Sequence, residues 1–322
     1  MMLDPVMRNR DQANHQFVHI IKNGNPASVN SRKIWKETEK RLQEKEIQYA
    51  VYSTEYAGHA KEIAKEILNK YRTRTVLLIV GGDGMIHEVI NGAASYSHAV
   101  IACIAAGSGN DYARGVQKIR NVSEITHLLN ESEHHTDVID IGEMQYKHQK
   151  MFFVNSLGLG FDASICKAVN GSKRKKHFQK WKLGKFIYLY YLFRQLFIFR
   201  PFPLQIEADG KKKTYNKVWF IVVANQPYFG GGLKIAPAAS VHDGKLHVIV
   251  VSNIPSFLFL LMFATVFWGG HLKMSKYVEQ FMCSRIHMAT EEDVPIQADG
   301  EIVGYSEVDA KVVPEKLKVI SK

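Results

Sequence analysis

Cysteine is scarce in this chain: three among 322 residues, at positions 103, 166 and 283. An odd, scattered set excludes a disulfide framework, and the lack of any C-x-x-C pair excludes a cysteine-ligated zinc site. Reduced thiols in a cytoplasmic protein are the simplest expectation. Long apolar runs are missing too. A bilayer-spanning helix needs about 20 predominantly apolar residues. The two greasiest stretches, Phe186–Phe199 and Ile254–Trp268, stop short of that, and the first carries Arg194 and Gln195. The opening residues MMLDPVMRNRDQANHQ hold no apolar core of signal-peptide length, so secretion is not expected. There is no internal repeat or low-complexity segment, and the fourteen histidines fall into no metal-ligand spacing. Between Asp162 and Glu207 there is no acidic residue at all.

That gap sits in a chain already rich in positive charge, with 42 Lys and Arg against 31 Asp and Glu and a net charge of +11. The acid-free stretch holds Lys167, Lys173, Arg174, Lys175, Lys176, Lys180, Lys182, Lys185, Arg194 and Arg200. A field of one sign recruits polyanions: nucleic acid, nucleotide phosphates or an anionic membrane. A solvated basic face accounts for the charge alone equally well. The run lacks any recognised reading module, so no nucleic-acid partner is expected. Aromatics follow it directly: Phe186, Tyr188, Tyr190, Tyr191, Phe193, Phe197 and Phe199. Rings beside Lys and Arg suit an anionic headgroup layer, where each basic residue contributes about 1 kcal/mol. The same stretch and Ile254–Trp268 also read as helices packed on a β domain. The two readings are compatible, and together they predict a peripheral membrane contact.

Apolar residues at 46% and charged residues at 23% are a globular balance, and the length suits two domains. Strands are predicted at Phe17–Ile21, Gln48–Ser53, Thr75–Val80 and Val100–Ala105. Helices are predicted at Ser31–Lys45, Gly58–Asn69 and Met85–Ala94. This alternation signals an α/β layer domain with a parallel sheet. After about Val138 short β-rich runs take over, at Phe152–Ser156, Leu204–Ala208, Val218–Ala224, Leu246–Val251, Ile286–Ala289 and Glu307–Val313. A second, mostly antiparallel β domain follows from them, and its open sheet leaves an edge available for a homodimer.

The strongest chemical signal is Val80-Gly81-Gly82-Asp83-Gly84-Met85-Ile86-His87-Glu88-Val89-Ile90-Asn91-Gly92, whose glycine turn is set between a buried strand and a helix. Three glycines in four residues let backbone N–H groups approach a phosphate, and the helix directs its positive end to the same spot. Asp83 alone would repel phosphate; a bridging Mg2+ or a reacting hydroxyl explains it better than a plain turn does.

Gly81-Gly82-Asp83-Gly84 followed by Glu88-Val89-Ile90-Asn91-Gly92 resembles the diacylglycerol kinase catalytic domain superfamily, which includes bacterial diacylglycerol kinases, YegS-like lipid kinases, and sphingosine and ceramide kinases. The resemblance continues through Ala105–Arg114, Phe153–Ala163, Tyr228–Gly232 with Ala236–Ala239 and Asp243-Gly244, and Ala298-Asp299-Gly300-Glu301. It implies an NAD kinase/diacylglycerol kinase-like α/β domain over residues 1–138, completed by the tail 306–322. An antiparallel β-sandwich domain for the lipid substrate would span 139–305. It further implies ATP and Mg2+, with Glu301 as general base and Asp83 as the loop acid tied to ATP and its metal. Asn23, Gly24, Asn25, Pro26, Ala27, Thr54, Gly81, Gly82, Gly84, Met85, Ile86, His87, Glu88, Ser108, Asn110 and Asp111 fall on nucleotide-contacting positions. Ser240, Asp243 and Lys245, the last through its carbonyl, map to a second, structural Mg2+ site.

Two departures stand out. Met85 occupies a position where many members carry Thr, and Asn23-Gly24-Asn25-Pro26-Ala27-Ser28 replaces the usual N-P-x-S-G loop. The implied activity is transfer of the γ-phosphate of ATP to a lipid hydroxyl, diacylglycerol or a related lipid alcohol, in phospholipid metabolism. A kinase of a soluble acceptor and a catalytically impaired lipid- or nucleotide-binding regulator remain the competing readings.

Overall fold

The structure is a computed structural model that describes residues 17–25, 29–119, 121–130, 135–172 and 184–322; of residues 29, 130 and 184–189 it describes the backbone alone. The chain divides into two compact units, residues up to Ile139 with Glu315–Lys322, and Asp140–Pro314.

In the first unit, β1 (Phe17–Asn23), α1 (Val29–Glu44), β2 (Gln48–Thr54), α2 (His59–Lys70), β3 (Thr75–Gly81), α3 (Asp83–Ala93) and β4 (Ala99–Ala105) follow one another. These are the seven elements expected over this stretch, in the expected order. The sheet runs β2-β1-β3-β4, all parallel, and Lys318 and Val319 of the last strand pair in parallel with Val100 and Ile101. Every residue of β3 is buried, as befits a strand covered on both faces. Val18, Ile20, Val76, Leu78 and Val80 share a core with Leu42 of α1 and with Ile125 and Leu129 of α4 (Val122–Asn130). The alternate residues Ile21, Leu77 and Ile79 are buried too and, by strand alternation, belong to the opposite face. There α2 and α3 meet closely: a Cβ on Gly92 would stand 2.5 Å from the Lys61 carbonyl oxygen.

The second unit is antiparallel. It contains most of β5 (Thr136–Tyr146), then β6 (Gln149–Phe153), β7 (Ser156–Gly160), α5 (Phe161–Asn170), α6 (Gly184–Ile198), β8 (Phe202–Ala208), β9 (Lys211–Ala224) and β10 (Leu246–Ser252). After these come α7 (Ser256–Thr265), β11 (Val278–Cys283), β12 (Arg285–Ala289), β13 (Pro295–Ala298), β14 (Glu301–Tyr305) and β15 (Glu307–Ile320), whose last residues belong to the first unit. The path is β14-β13-β7-β9-β8-β12-β15, with β10 also on β9 and β11 on β10. Alternation sorts β10 between two cores. Leu246, Val248 and Val250 join the apolar interior with Leu157, Ile221 and Ile286. Ile249 and Val251 face a second core covered by α5, α6 and α7. Both apolar stretches are therefore helices packed on the β domain. Trp219 of β9 stacks on Phe259 of α7 at 4.3 Å between ring centroids and donates its indole N–H to the Ile254 carbonyl at 2.9 Å.

One expected strand is broken. Phe152–Ser156 reads as continuous in sequence, but β6 ends at Phe153 and β7 begins at Ser156. The interruption turns three successive amides toward one carboxylate, as described next.

Candidate active site

Register brings the glycine loops of the first unit together. Asn23 pairs with Thr54, Lys22 with Val80, and Gly81 with Ala105. The carboxyl ends of four parallel strands thus lie level. In the order β2-β1-β3 the chain leaves β1 to one side first and then to the other, and open α/β sheets bind ligands at such a point. The Gly24 amide donates to the Thr54 carbonyl at 3.1 Å, and Asn23 Oδ1 accepts the Asn25 amide at 2.9 Å. Pro26 and Ala27 lie outside the described residues. Ser31 closes this end by donating to the Ala106 carbonyl at 2.8 Å.

The second and third loops touch backbone to backbone. The Ala106 amide donates to the Gly81 carbonyl at 2.8 Å. A Cβ on Gly82 would stand 3.0 Å from the Gly107 Cα, and one on Gly107 would stand 2.6 Å from the Gly82 Cα. Only residues without a side chain allow that approach. Asn110, at φ +59°, locks the third loop: its Oδ1 accepts the Gly107 amide at 3.0 Å and its Nδ2 donates to the Gly107 carbonyl at 3.2 Å. Asp111 is buried and accepts from Arg114 at 2.7 Å, while Arg114 also reaches the Gly109 carbonyl. Ser108 is exposed at the tip.

Asp83 opens α3, and its Oδ1 accepts the Tyr112 amide at 3.1 Å, which fixes the carboxylate across the two loops. Ile86 and His87 are buried in the first turns of the helix, and Met85 lies against Gly81. Glu88 is engaged inside the fold. Its two oxygens accept the Gly58 and Ala60 amides at 2.8 and 3.1 Å and so cap α2, whose preceding Gly58 is left-handed at φ +92°. A Mg2+ that arrives on nucleotide phosphates needs one or two protein carboxylates, and Asp83, at the start of a helix, is a carboxylate that could serve as one. Among the described residues no three His, Cys, Asp or Glu side chains cluster to hold a metal by themselves.

The Asp299-Gly300 turn of the second unit is built with equal economy. Asp299 Oδ1 accepts the Asn155 and Ser156 amides at 2.8 and 3.1 Å, and Oδ2 accepts the Val154 amide at 3.0 Å. Asp299 and Gly300 both have positive φ, +50° and +90°, the requirement of a tight two-residue hairpin. Gln297 accepts the Gly300 amide at 2.8 Å and donates to Asp162 at 3.1 Å; Asn170 donates to the Gly300 carbonyl at 3.1 Å. Burial pushes the Asp162 carboxyl up to about 6, against the Gln297 hydrogen bond, which pulls it down. Glu301 follows the clamped turn as an exposed carboxylate at the start of β14.

Ser240, Asp243 and Lys245 share one loop of the second unit, and its polar groups bind each other. Asp243 Oδ1 accepts the Lys245 amide at 3.0 Å, and Oδ2 lies 2.8 Å from His247 Nε2. Ser240 Oγ accepts the His242 amide at 3.3 Å, and Lys245 donates to Ser284. A hard cation here would find one carboxylate already shared with an imidazole.

Sequence reasoning assigned no role to Tyr112, which fixes Asp83 in the first unit, or to Gln297, Asn170 and Asp162, which brace the Asp299-Gly300 turn in the second. Asp162 and Gln297 carry a signal in retrospect: each is a polar residue in an otherwise apolar or glycine-rich run. Six residues of the basic cluster (Lys173, Arg174, Lys175, Lys176, Lys180 and Lys182) and the side chains of Lys185, Phe186 and Tyr188 lie outside the described residues.

Comparison with known proteins finds relatives of both units. The family model of the diacylglycerol kinase catalytic domain matches residues 18–144, and that of the YegS C-terminal NAD kinase beta sandwich-like domain matches residues 155–321. The chain is 29% identical over 294 residues, 90% of its length and 94% of the relative's, to a Bacillus subtilis (strain 168) protein named "Putative lipid kinase YtlR". It is 26% identical to the diacylglycerol kinase of the same organism, over 79% of this chain and 80% of that one. Among solved structures, a crystal structure titled as a "putative diacylglycerol kinase" from Bacillus anthracis str. Sterne superposes with a TM-score of 0.72. It is 20% identical and covers 98% of both chains, a likeness of fold.

Proposed function

We propose, because the chain belongs to the YegS-like family of the diacylglycerol kinase catalytic domain, that this lipid kinase transfers the γ-phosphate of ATP to the hydroxyl of diacylglycerol or a related lipid alcohol. One observation carries the reading. Four strand ends stand level, and two glycine loops meet so closely that a Cβ on Gly82 or Gly107 would crowd the facing backbone, with Asp83 fixed across them. Backbone amides and a helix start recognise phosphate, not a carbon skeleton.

Phosphoryl transfer asks the protein for positioning and charge stabilisation. Asn23, Gly24, Asn25, Thr54, Gly81, Gly82, Gly84, Ser108 and Asn110 are the residues we assign to the nucleotide. Mg2+ accompanying ATP would supply charge neutralisation to the transferred phosphate, and Asp83 is the carboxylate that would hold it. Glu301 takes the proton of the lipid hydroxyl as its oxygen bonds to the γ-phosphorus and the bond to the ADP oxygen breaks. The clamp of Asp299, Gln297 and Asn170 fixes the backbone that presents Glu301. We assign the Ser240–Asp243–Lys245 loop to structure and route no step through it. Among the described residues no helix is long and apolar enough to cross a membrane, so the proposed contact with lipid is peripheral.

The test is transfer from γ-labelled ATP, with Mg2+, into a total bacterial lipid extract. Wild type labels a lipid, and Asp83→Asn and Glu301→Gln each lower the rate by about a hundredfold or more. A labelled water-soluble product instead would assign a soluble acceptor. Label in nothing, from folded protein, would leave a regulator.

A further inference from the structure

Greasy side chains on the water side of this protein are concentrated, not scattered. Among the described residues, eight of the eleven exposed large hydrophobics fall within two short segments of the second unit. On α6, Tyr191, Leu192 and Leu196 pack into the core. Tyr190, Phe193 and Phe197, three and four residues apart, stand on the other side, with Phe197 86% exposed. On α7, Phe259 and Met262 are buried, while Phe257 and Leu261 are 71% and 62% exposed; the turn that follows adds Phe267 and Trp268 at 61% and 68%. A water-facing helix is ordinarily polar on that side, and a concentration of exposed apolar side chains of this kind marks an interaction site. Both helices cover the same core on one face of the sheet, so their unburied sides look away from that face together.

The charge around them selects the partner. Each helix lies in a stretch without a single acidic residue, the first between Asp162 and Glu207, the second between Asp243 and Glu279. Arg194, Arg200, Lys273 and Lys276 are exposed in those stretches. A second copy of the chain would bring the same positive charges against this surface, whereas an anionic bilayer complements it. Phe, Tyr and Trp settle at the boundary between headgroups and hydrocarbon. At 15 and 10 residues the helices are too short to span, so they present side chains to the interface without crossing it.

We propose that the outer faces of α6, over residues 190–198, and of α7, with the Phe267-Trp268 turn, form an aromatic wedge that enters the surface of an anionic phospholipid bilayer. It rests on the lipid-kinase reading only for what the bilayer then provides, the acceptor.

Flotation of the full chain with vesicles of equal parts phosphatidylglycerol and phosphatidylcholine tests it. The variants are Phe257→Ser with Trp268→Ser, and Lys273→Gln with Lys276→Gln. Wild type floats at low salt and less at high salt. The aromatic pair lowers vesicle partitioning about tenfold or more. The lysine pair flattens the salt dependence. Both keep the wild-type thermal midpoint and the wild-type rate on a water-dispersed short-chain diacylglycerol. Unchanged flotation of the aromatic variant, or no flotation of wild type at low salt, overturns the proposal. So does a concentration-dependent dimer that the aromatic substitutions dissolve. Flotation as expected without phosphorylation of any lipid would support the wedge and remove the kinase reading instead.

Discussion

Replacing Asp299 separates the two jobs of its carboxylate, holding the chain break between β6 and β7 and shaping the turn before Glu301. Three buried amides, of Val154, Asn155 and Ser156, depend on it. Each amide left without a partner costs about 1–3 kcal/mol. If one of the three reaches water, Asp299→Ala loses about 3–4 kcal/mol from these bonds. A left-handed backbone at φ +50° adds about 1 kcal/mol for alanine, which asparagine escapes. In Asp299→Asn the side chain would still accept from Asn155 and Ser156 through its single oxygen. Its NH2 would face the Val154 amide, a loss of about 2 kcal/mol. The two units need not unfold together, so the measurement is hydrogen exchange of peptides covering 150–160 and 295–305 in the second unit, with urea unfolding alongside. The expected order of stability is wild type, then Asp299→Asn, then Asp299→Ala. Asn and Ala variants within about 0.5 kcal/mol of each other would refute the argument that the three amides carry the cost.

Two further predictions concern the first unit. Gly107→Ala weakens ATP binding by about tenfold or more, ~1.4 kcal/mol. Gly82→Ala weakens it less, because its Cβ would stand 3.0 Å from the facing backbone where that of Gly107 would stand at 2.6 Å. Calorimetric titration with ATP and Mg2+ checks both, and unaltered affinity would show that the loops hold no phosphate. His19 is held neutral, its pKa lowered to about 4 by burial first and the Lys70 charge second. The unfolded chain therefore takes up a proton that the folded one refuses between about pH 6.5 and 4. This contribution to stability is complete above about 6.5 and falls by up to about 3 kcal/mol on descending to about 4. Acid titration of the unfolding midpoint shows that slope in wild type, and His19→Phe flattens it.

The alternation of apolar runs and glycine turns is enough to place β1 through β4 with their helices, since a strand buried on both faces leaves an uninterrupted record such as Thr75–Val80. The loop Gly81–Gly84 is legible for the same local reason: glycines and an acid between strand and helix have few other uses. The β domain is less legible. β11 and the beginning of β9 are rich in polar residues, and β7 merges with β6 in the sequence because nothing local announces a break at Val154-Asn155. That break exists to serve Asp299, 145 residues away from the Val154 amide. Glu88 reads locally as part of a phosphate loop, yet its oxygens accept amides at the start of a helix, the first of them 30 residues earlier. Asp162 and Gln297 meet only when β13 pairs with β7. Phe257, Leu261 and Trp268 look in sequence like core, and only packing shows which side of α7 the sheet covers. Local pattern suffices for the elements and for the backbone chemistry of the loops, because periodicity and glycine act over a few residues. Which polar atoms are spent on one another, and which apolar faces stay uncovered, is settled by long-range packing, because hydrogen-bond saturation and burial depend on neighbours that arrive from distant parts of the chain.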